Sequence, residues 1–473
     1  MKILQVVHLF LPRHKGGVEV YTDLLVREQA RKHEVALYHT EHQPGEEPYR
    51  LERRERDGVK IYEVINNKSY GSFEESYHNE ALERRFAEVL DEFRPDVVHL
   101  QHLLFHSLGY TRIARERGIP VVFTLHEYWL ICLRDGQMIL PDLSRCPLPA
   151  ATDCARCAAL GRESASTLER VGDRVVRSMK RLTGVDLWPL LRSARIKSPY
   201  FVKRLMGWAP GKKDDRSSGP ADAAHVARVE QRWKAVRAAL EDVDLLIAPS
   251  PFLREMFLSF GVPEEKIVFS DYGFDTSRFG ERSERKRAAD APIRFGFVGS
   301  IIPVKGVHVA VEAFRGIDPA RAELVVHGSS GHRPDYHQEL VSSAAGHPIR
   351  FAGEFDNRRI AEILGELDVL IVPSVWYENS PLTIHEGFLA GIPVMTSDLG
   401  GMKDLVQEGR NGFLFQPGDA ADLRRRVEEI LERPEILDEI RSKETRVKTI
   451  AENATELEEI YDRLVPVGGG GAS

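Results

Sequence analysis

The chain alternates apolar runs of strand length with stretches of helical periodicity, and it does so twice. In the first half "KILQVVHLF" (2–10), "HEVALYHT" (33–40), "VKIYEVI" (59–65), "PDVVHLQH" (95–102), "IPVVFTLHE" (119–127) and "VDLLIAPS" (243–250) read as buried strands. Near-continuous apolar strands with helices between them predict a parallel sheet covered on both faces. A polar stretch, "TSRFGERSERKRAADAP" (276–292), intervenes before "IRFGFVGS" (293–300), "AELVVHGS" (322–329), "IRFAGEF" (349–355), "DVLIVPS" (368–374) and "IPVMTS" (392–397) restart the pattern. The predicted class is α/β, with two doubly wound parallel-sheet domains at 1–285 and 290–445. Residues 446–467 are expected to form a C-terminal helix packing back on the first domain, and 468–473 a disordered tail. Such sheets bind ligands at the carboxyl ends of their strands, so the two domains are expected to face a central cleft.

The candidate chemistry gathers at those strand ends. In "YENSPLTIHEGFLAGIPV" (377–394), Ser380 followed by Pro381 reads as a helix start, with Ser capping the orphan amides, and Gly391 and Pro393 end the helix. The first amides, at Leu382 and Thr383, together with the helix dipole suit a phosphate or diphosphate. Glu378 before this anion site and Glu386 beyond it could each accept hydrogen bonds from hydroxyls, a sugar on one side and a ribose on the other. Taken alone, the spacing equally fits one solvated loop acid and one helix-surface acid. Gly16-Gly17 after the first strand, His126 at the end of "VVFTLHE" and Lys305 in "FVGSIIPVKG" (297–306) each have an ordinary reading as a turn, a rim histidine or a solvated lysine. All of them, however, fall at predicted carboxyl ends of strands.

"GGVE", "TLHEYW", "VGSIIPVKG", "VPS", "ENSPLTIHE", "AGIPVMTSDLGGMKDLV" and "GRNGFLFQPGD" together resemble the family 4 glycosyltransferases of the GT-B fold, most strongly from about residue 291 to 430. The resemblance implies a retaining hexosyltransferase without a catalytic metal. It would move a sugar from a nucleotide-sugar donor to a glycan or lipid-linked acceptor in cell-envelope polysaccharide or glycolipid synthesis. Carried over by residue, Glu378 would hold donor-sugar hydroxyls near the reacting centre, and Glu386 the ribose hydroxyls. Asn379, Ser380, Pro381, Leu382 and Thr383 would line the diphosphate and sugar. His126 would contact the donor sugar near the reacting carbon, Gly16-Gly17 would lie under the diphosphate, and Lys305 would neutralise the leaving group. Gly299 and Ser300 complete the donor set. Many members carry Arg where this chain has Ser300, which leaves one fewer cation at the diphosphate. A nucleotide-sugar epimerase of the same architecture and a noncatalytic nucleotide-sugar-binding scaffold are the alternatives.

Composition narrows the partners. Sixty-five basic against 72 acidic residues, a net charge of −7, argue against nucleic acid as a partner. No apolar run reaches membrane-spanning length, and "MKILQVVHLFLPRHKGG" lacks the features of a secretory signal, so the expected location is cytoplasmic. The exception to the charge balance is 160–216, with fourteen Lys and Arg against six Asp and Glu. This part of a basic insertion (160–240), interleaved with Trp188, Tyr200, Phe201 and Trp208, suits an anionic membrane surface, as a peripheral protein on the inner face, or an anionic acceptor. A solvated helical insertion is the equal alternative. Cys132, Cys146, Cys154 and Cys157 form a cluster whose expected ligand is a structural zinc, with an iron–sulfur cluster or four reduced thiols as the alternatives. The tripeptide Asp242-Val243-Asp244 opens a strand, at the end opposite the ligands, and is expected to hold no metal.

Overall fold

The computed structural model describes residues 1–43, 45–68, 70–134, 136–140, 144–146, 149–158, 178, 180, 222–280, 291–331 and 333–465. Most of the basic insertion, residues 281–290 of the polar stretch and the tail lie outside the described residues. The chain divides into two compact units. Met1–Gly136, Leu148–Ile247 and Glu456–Ser473 form the first, and Gln137–Pro147 with Ala248–Thr455 the second.

The first unit is built on β1 (Lys2–Val7), β2 (Glu34–Glu41), β3 (Leu51–Arg56), β4 (Val59–Ile65), β5 (Val97–Leu100), β6 (Val121–Thr124) and β7 (Leu245–Ala248). They run in the order β3-β4-β2-β1-β5-β6-β7, and every pairing is parallel except the β3–β4 hairpin. The central β1 is apolar on both faces, with Ile3, Leu4, Val6 and Val7 fully buried, because helices cover both sides. β3 (LERRER) is the charged edge, joined to β4 by Asp57-Gly58, both at positive φ; Arg53 pairs with Glu88 and Glu92, which discourages edge-to-edge association. Asp244 Oδ2 accepts from the Val121 amide (2.7 Å) at the amino end of β6, and Asp242 pairs with Arg115 (2.7 Å) of the helix Tyr110–Glu116. The last helix, Ile450–Leu464, brings Leu457, Ile460 and Tyr461 into the first unit as buried residues.

The second unit holds β8 (Ile267–Phe269) and a six-stranded, all-parallel sheet of β9 (Ile293–Val298), β10 (Ala322–His327), β11 (Ile349–Gly353), β12 (Val369–Val372), β13 (Val394–Ser397) and β14 (Gly412–Phe415), ordered β11-β10-β9-β12-β13-β14. Strand alternation splits its core into two layers. Phe295, Leu324, Val326, Val369 and Ile371 face one apolar cluster with Phe314, Leu423 and Val427, whereas Val325, Leu370 and Val372 face another with Ile384, Phe388 and Met402.

The compact units divide at Ile247 to Ala248, whereas the sequence pattern places the end of the first domain at 285. Hydrogen bonds hold the earlier segment to the second unit. Ser250 caps the helix Pro251–Ser259 and donates to Asn379 Oδ1 (2.7 Å), and Asp404 accepts from the Phe252 amide (2.8 Å). Among the described residues no helix is long and apolar enough to cross a membrane.

Candidate active site

The donor-side constellation begins where β12 ends. Gly306 has φ +69°, and a Cβ there would lie 1.8 Å from the carbonyl oxygen of Pro373. Only glycine fits that approach, which lays the 3₁₀ turn Pro303–Lys305 against the end of β12. Lys305 Nζ then donates to Glu378 Oε1 (2.7 Å), and Ser374 Oγ, from the strand end, donates to the same oxygen (2.7 Å). Burial pushes the Glu378 carboxyl up, but the charge and hydrogen bond of Lys305, with the bond from Ser374, outweigh it and hold the carboxyl below its ordinary range. A buried carboxylate fixed by an ammonium is thus set at the carboxyl edge of the sheet.

Ser380 does not cap the following helix, Leu382–Leu389. Pro381 occupies the N-cap position, and Ser380 Oγ donates instead to Asp271 Oδ1 (2.7 Å). His385 Nε2 lies 3.2 Å from Ser380 Oγ and 3.1 Å from Asp271 Oδ2, and burial lowers the pKa of this histidine against the pull of Asp271. The helix start is left with no side-chain cap, so the leading amides of Leu382 and Thr383 are not spent on one. In the second turn burial pushes the Glu386 carboxyl up to about 7, against a weaker opposing charge from Arg278.

Two glycines absent from the expected site seat this loop. A Cβ at Gly401 would lie 1.4 Å from the Asn379 carbonyl oxygen, and the Gly401 amide donates to the Glu378 carbonyl (2.9 Å). Gly400, at φ +56°, lets the chain turn there. Their signal in the sequence is a Gly-Gly pair opening a short helix, Gly400–Leu405; Ser374 and Asp271 carry none beyond standing after a strand. Gly299 donates its amide to the His327 carbonyl (3.1 Å), so that group braces the loop after β9 rather than awaiting a ligand. Ser300 beside it is exposed.

In the first unit His126 follows β6 and donates Nε2–H to Gln101 Oε1 (2.8 Å). Burial, with the nearby His102 and His99, holds its pKa well below the ordinary value, so it is neutral. Gly16 caps the helix Gly17–Gln29, but a Cβ there would lie 2.5 Å from Glu19 Oε2. The backbone amides of Glu19 and Gly16 hydrogen-bond to the Glu19 carboxylate, although burial still raises its pKa. The expected anion cradle at Gly16-Gly17 therefore already holds a side-chain carboxylate. Around it His8 and His102 pack with ring centroids 4.4 Å apart, and His102 pairs with Glu127 (2.9 Å).

The expected metal site is not assembled. Cys132, Cys146, Cys154 and Cys157 are not joined in disulfides, and among the described residues no group of three or more His, Cys, Asp or Glu side chains is placed to hold a metal ion. Burial lowers the pKa of Arg232 to about 10, and its guanidinium donates to the carbonyls of Trp129 (2.5 Å) and Leu130 (3.2 Å). These two bonds tie Arg232 to the Trp129–Cys132 turn.

Both units match known families. Residues 15–174 match Glycosyltransferase Family 4 and residues 292–433 match Glycosyl transferases group 1, more than half of the chain between them. Anabaena HepE in complex with UDP and glucose superposes with TM-score 0.59 at 16% identity, covering 98% of this chain and 99% of that one. The fold is GT-B. The chain belongs to the family 4 glycosyltransferases. The glycogen synthase of Mycobacterium tuberculosis is 30% identical over 182 residues, which cover 37% of this chain and 42% of the relative. The amylovoran biosynthesis glycosyltransferase AmsK of Erwinia amylovora is 23% identical over 210 residues, 43% of this chain and 51% of the relative. The chain thus spans about half the length of the curated relatives it matches.

Proposed function

We propose that this protein is a retaining hexosyltransferase that uses a nucleotide-sugar donor and a glycan or lipid-linked acceptor in the synthesis of an envelope polysaccharide or glycolipid. The observation that carries the reading is the Lys305–Glu378–Ser374 arrangement beside a helix start that no side chain caps. Breaking the bond from the anomeric carbon to the diphosphate leaves positive charge on the sugar and negative charge on the phosphate. The amides of Leu382 and Thr383 and the Lys305 ammonium suit the growing negative charge, which is the largest contribution such a site makes. The Glu378 carboxylate suits the hydroxyls of the sugar, Glu386 the ribose and neutral His126 the sugar near the reacting carbon. As the acceptor oxygen bonds to the anomeric carbon from the face the leaving group departs, its proton passes to a leaving phosphate oxygen. This route needs no divalent ion. A glycan acceptor is supported by relatives named for glycogen synthesis and amylovoran biosynthesis.

The test is incubation of the purified protein with a panel of nucleotide sugars, with and without glycan and lipid-linked acceptors. Transfer with retained configuration, undiminished by chelation, is expected. Isomerisation or release of the donor sugar without acceptor would make it an epimerase, and binding without turnover a scaffold.

A further inference from the structure

Seven buried side chains of the first unit form one continuous hydrogen-bonded chain. His126 Nε2 meets Gln101 Oε1 (2.8 Å), Gln101 Nε2 donates to Gln5 Oε1 (2.9 Å), and Gln5 Nε2 donates to Gln29 Oε1 (2.9 Å). Gln29 Nε2 donates to the Tyr461 hydroxyl (3.3 Å), which meets His99 Nδ1 (2.5 Å), and His99 Nε2 meets Thr124 Oγ1 (2.8 Å). Gln5, Gln29, Gln101 and His99 are 0% exposed, an unusual place for three carboxamides unless each is satisfied. A carboxamide accepts only at its oxygen and donates only at its nitrogen, so one orientation propagates through all three. Gln101 offers its oxygen to His126, which can answer only with Nε2–H. Burial keeps both histidines neutral, with His99 pushed down to about 3, and a neutral imidazole carries a single ring proton.

We propose that Tyr461, Gln29, Gln5 and Gln101 are a positioning relay that fixes His126 as the Nε2–H tautomer and ties its orientation to the seating of the last helix. The inference rests on the reading of His126 as a donor-sugar contact. None of the four relay side chains need touch substrate. They act by denying His126 the other tautomer and a rotated ring. A ring proton at Nδ1 would place two acceptors, Gln101 Oε1 and His126 Nε2, against each other in a buried site.

The test reads the tautomer directly. In full-length protein carrying 15N-labelled histidine, with the His126 signal assigned through His126→Gln, Nε2 should be protonated and Nδ1 not, at neutral pH. Gln5→Met breaks the chain at its middle at similar volume, and should let His126 sample both tautomers and lower kcat about 10-fold with little change in donor KM. Tyr461→Phe should shift both readouts the same way. An Nδ1–H tautomer in the unmodified protein would require all three amides reversed and would overturn the relay. So would an unchanged His126 signal and kcat in folded Gln5→Met. If no donor supports transfer at all, the functional reading fails, while the tautomer and its response to Gln5→Met still decide the relay.

Discussion

At the scale of single residues, the two glutamates of the donor loop are set to opposite tasks by what surrounds them. Glu378 is ionised by Lys305 and Ser374; Glu386, with only a weak charge from Arg278, is held protonated up to about 7. Intact nucleotide sugar, whose own diphosphate does not titrate here, should therefore bind more tightly as pH rises through about 7 and Glu386 becomes an acceptor for hydroxyls. Titration calorimetry on Glu386→Gln should show that dependence flattened and affinity about 10-fold weaker at the alkaline end. The same group makes a stability prediction. Because its folded pKa is raised, its contribution is present below the ordinary carboxylate range and lost as pH rises through about 7, so the fall in Tm of the ligand-free protein over that window should be smaller in Glu386→Gln. Lys305→Ala removes the cation proposed to face the leaving group and strands the buried Glu378. Steady-state kinetics should show kcat lowered at least about 100-fold, with a smaller change in donor KM.

At the scale of elements, glycines decide whether the loops meet. Gly401→Ala would drive a methyl into the Asn379 carbonyl, so donor affinity and Tm should both fall. Gly118→Ala, at positive φ (+67°) but with open space around it, should cost about 1 kcal/mol of stability and leave donor binding unchanged. Chemical denaturation and calorimetry on the two variants separate loop displacement from simple backbone strain. Among the described residues eleven strands announce themselves as apolar runs, but β3, β8 and β14 do not. β3 is LERRER, β8 has only three residues, and β14, GFLF, is enclosed between the turn residues Arg410-Asn411 and Pro417-Gly418. Such strands exist because a neighbour offers hydrogen bonds, not because of their own pattern. The Ser-Pro helix start was legible to within a residue, yet the cap was not. Ser380 is drawn away by Asp271, more than a hundred positions earlier.

At the scale of the whole molecule, the last helix is part of the first unit's core through Leu457, Ile460 and Tyr461, each at most 4% exposed. A chain ending at residue 449 should therefore lose cooperative unfolding of the first unit, read by calorimetry, rather than merely losing a tail. What the sequence by itself determined is the pair of parallel α/β sheets, the strand ends followed by Glu378, Lys305 and His126, and the helix that bears Glu386. Alternating polarity, β-branched runs and Gly-Pro breaks are local properties, and the end of a parallel strand follows from them. What only the tertiary structure decided is which groups those residues meet: Ser374 and Lys305 on one carboxylate oxygen, Glu19 over Gly16, Arg232 among the thiols expected to bind metal, and the glutamine chain behind His126. Each joins positions far apart in the chain or depends on a side-chain rotamer. A hydrogen bond or a desolvated charge acts over a few ångströms of space, so its energy is set by the packed fold rather than by any spacing in the sequence.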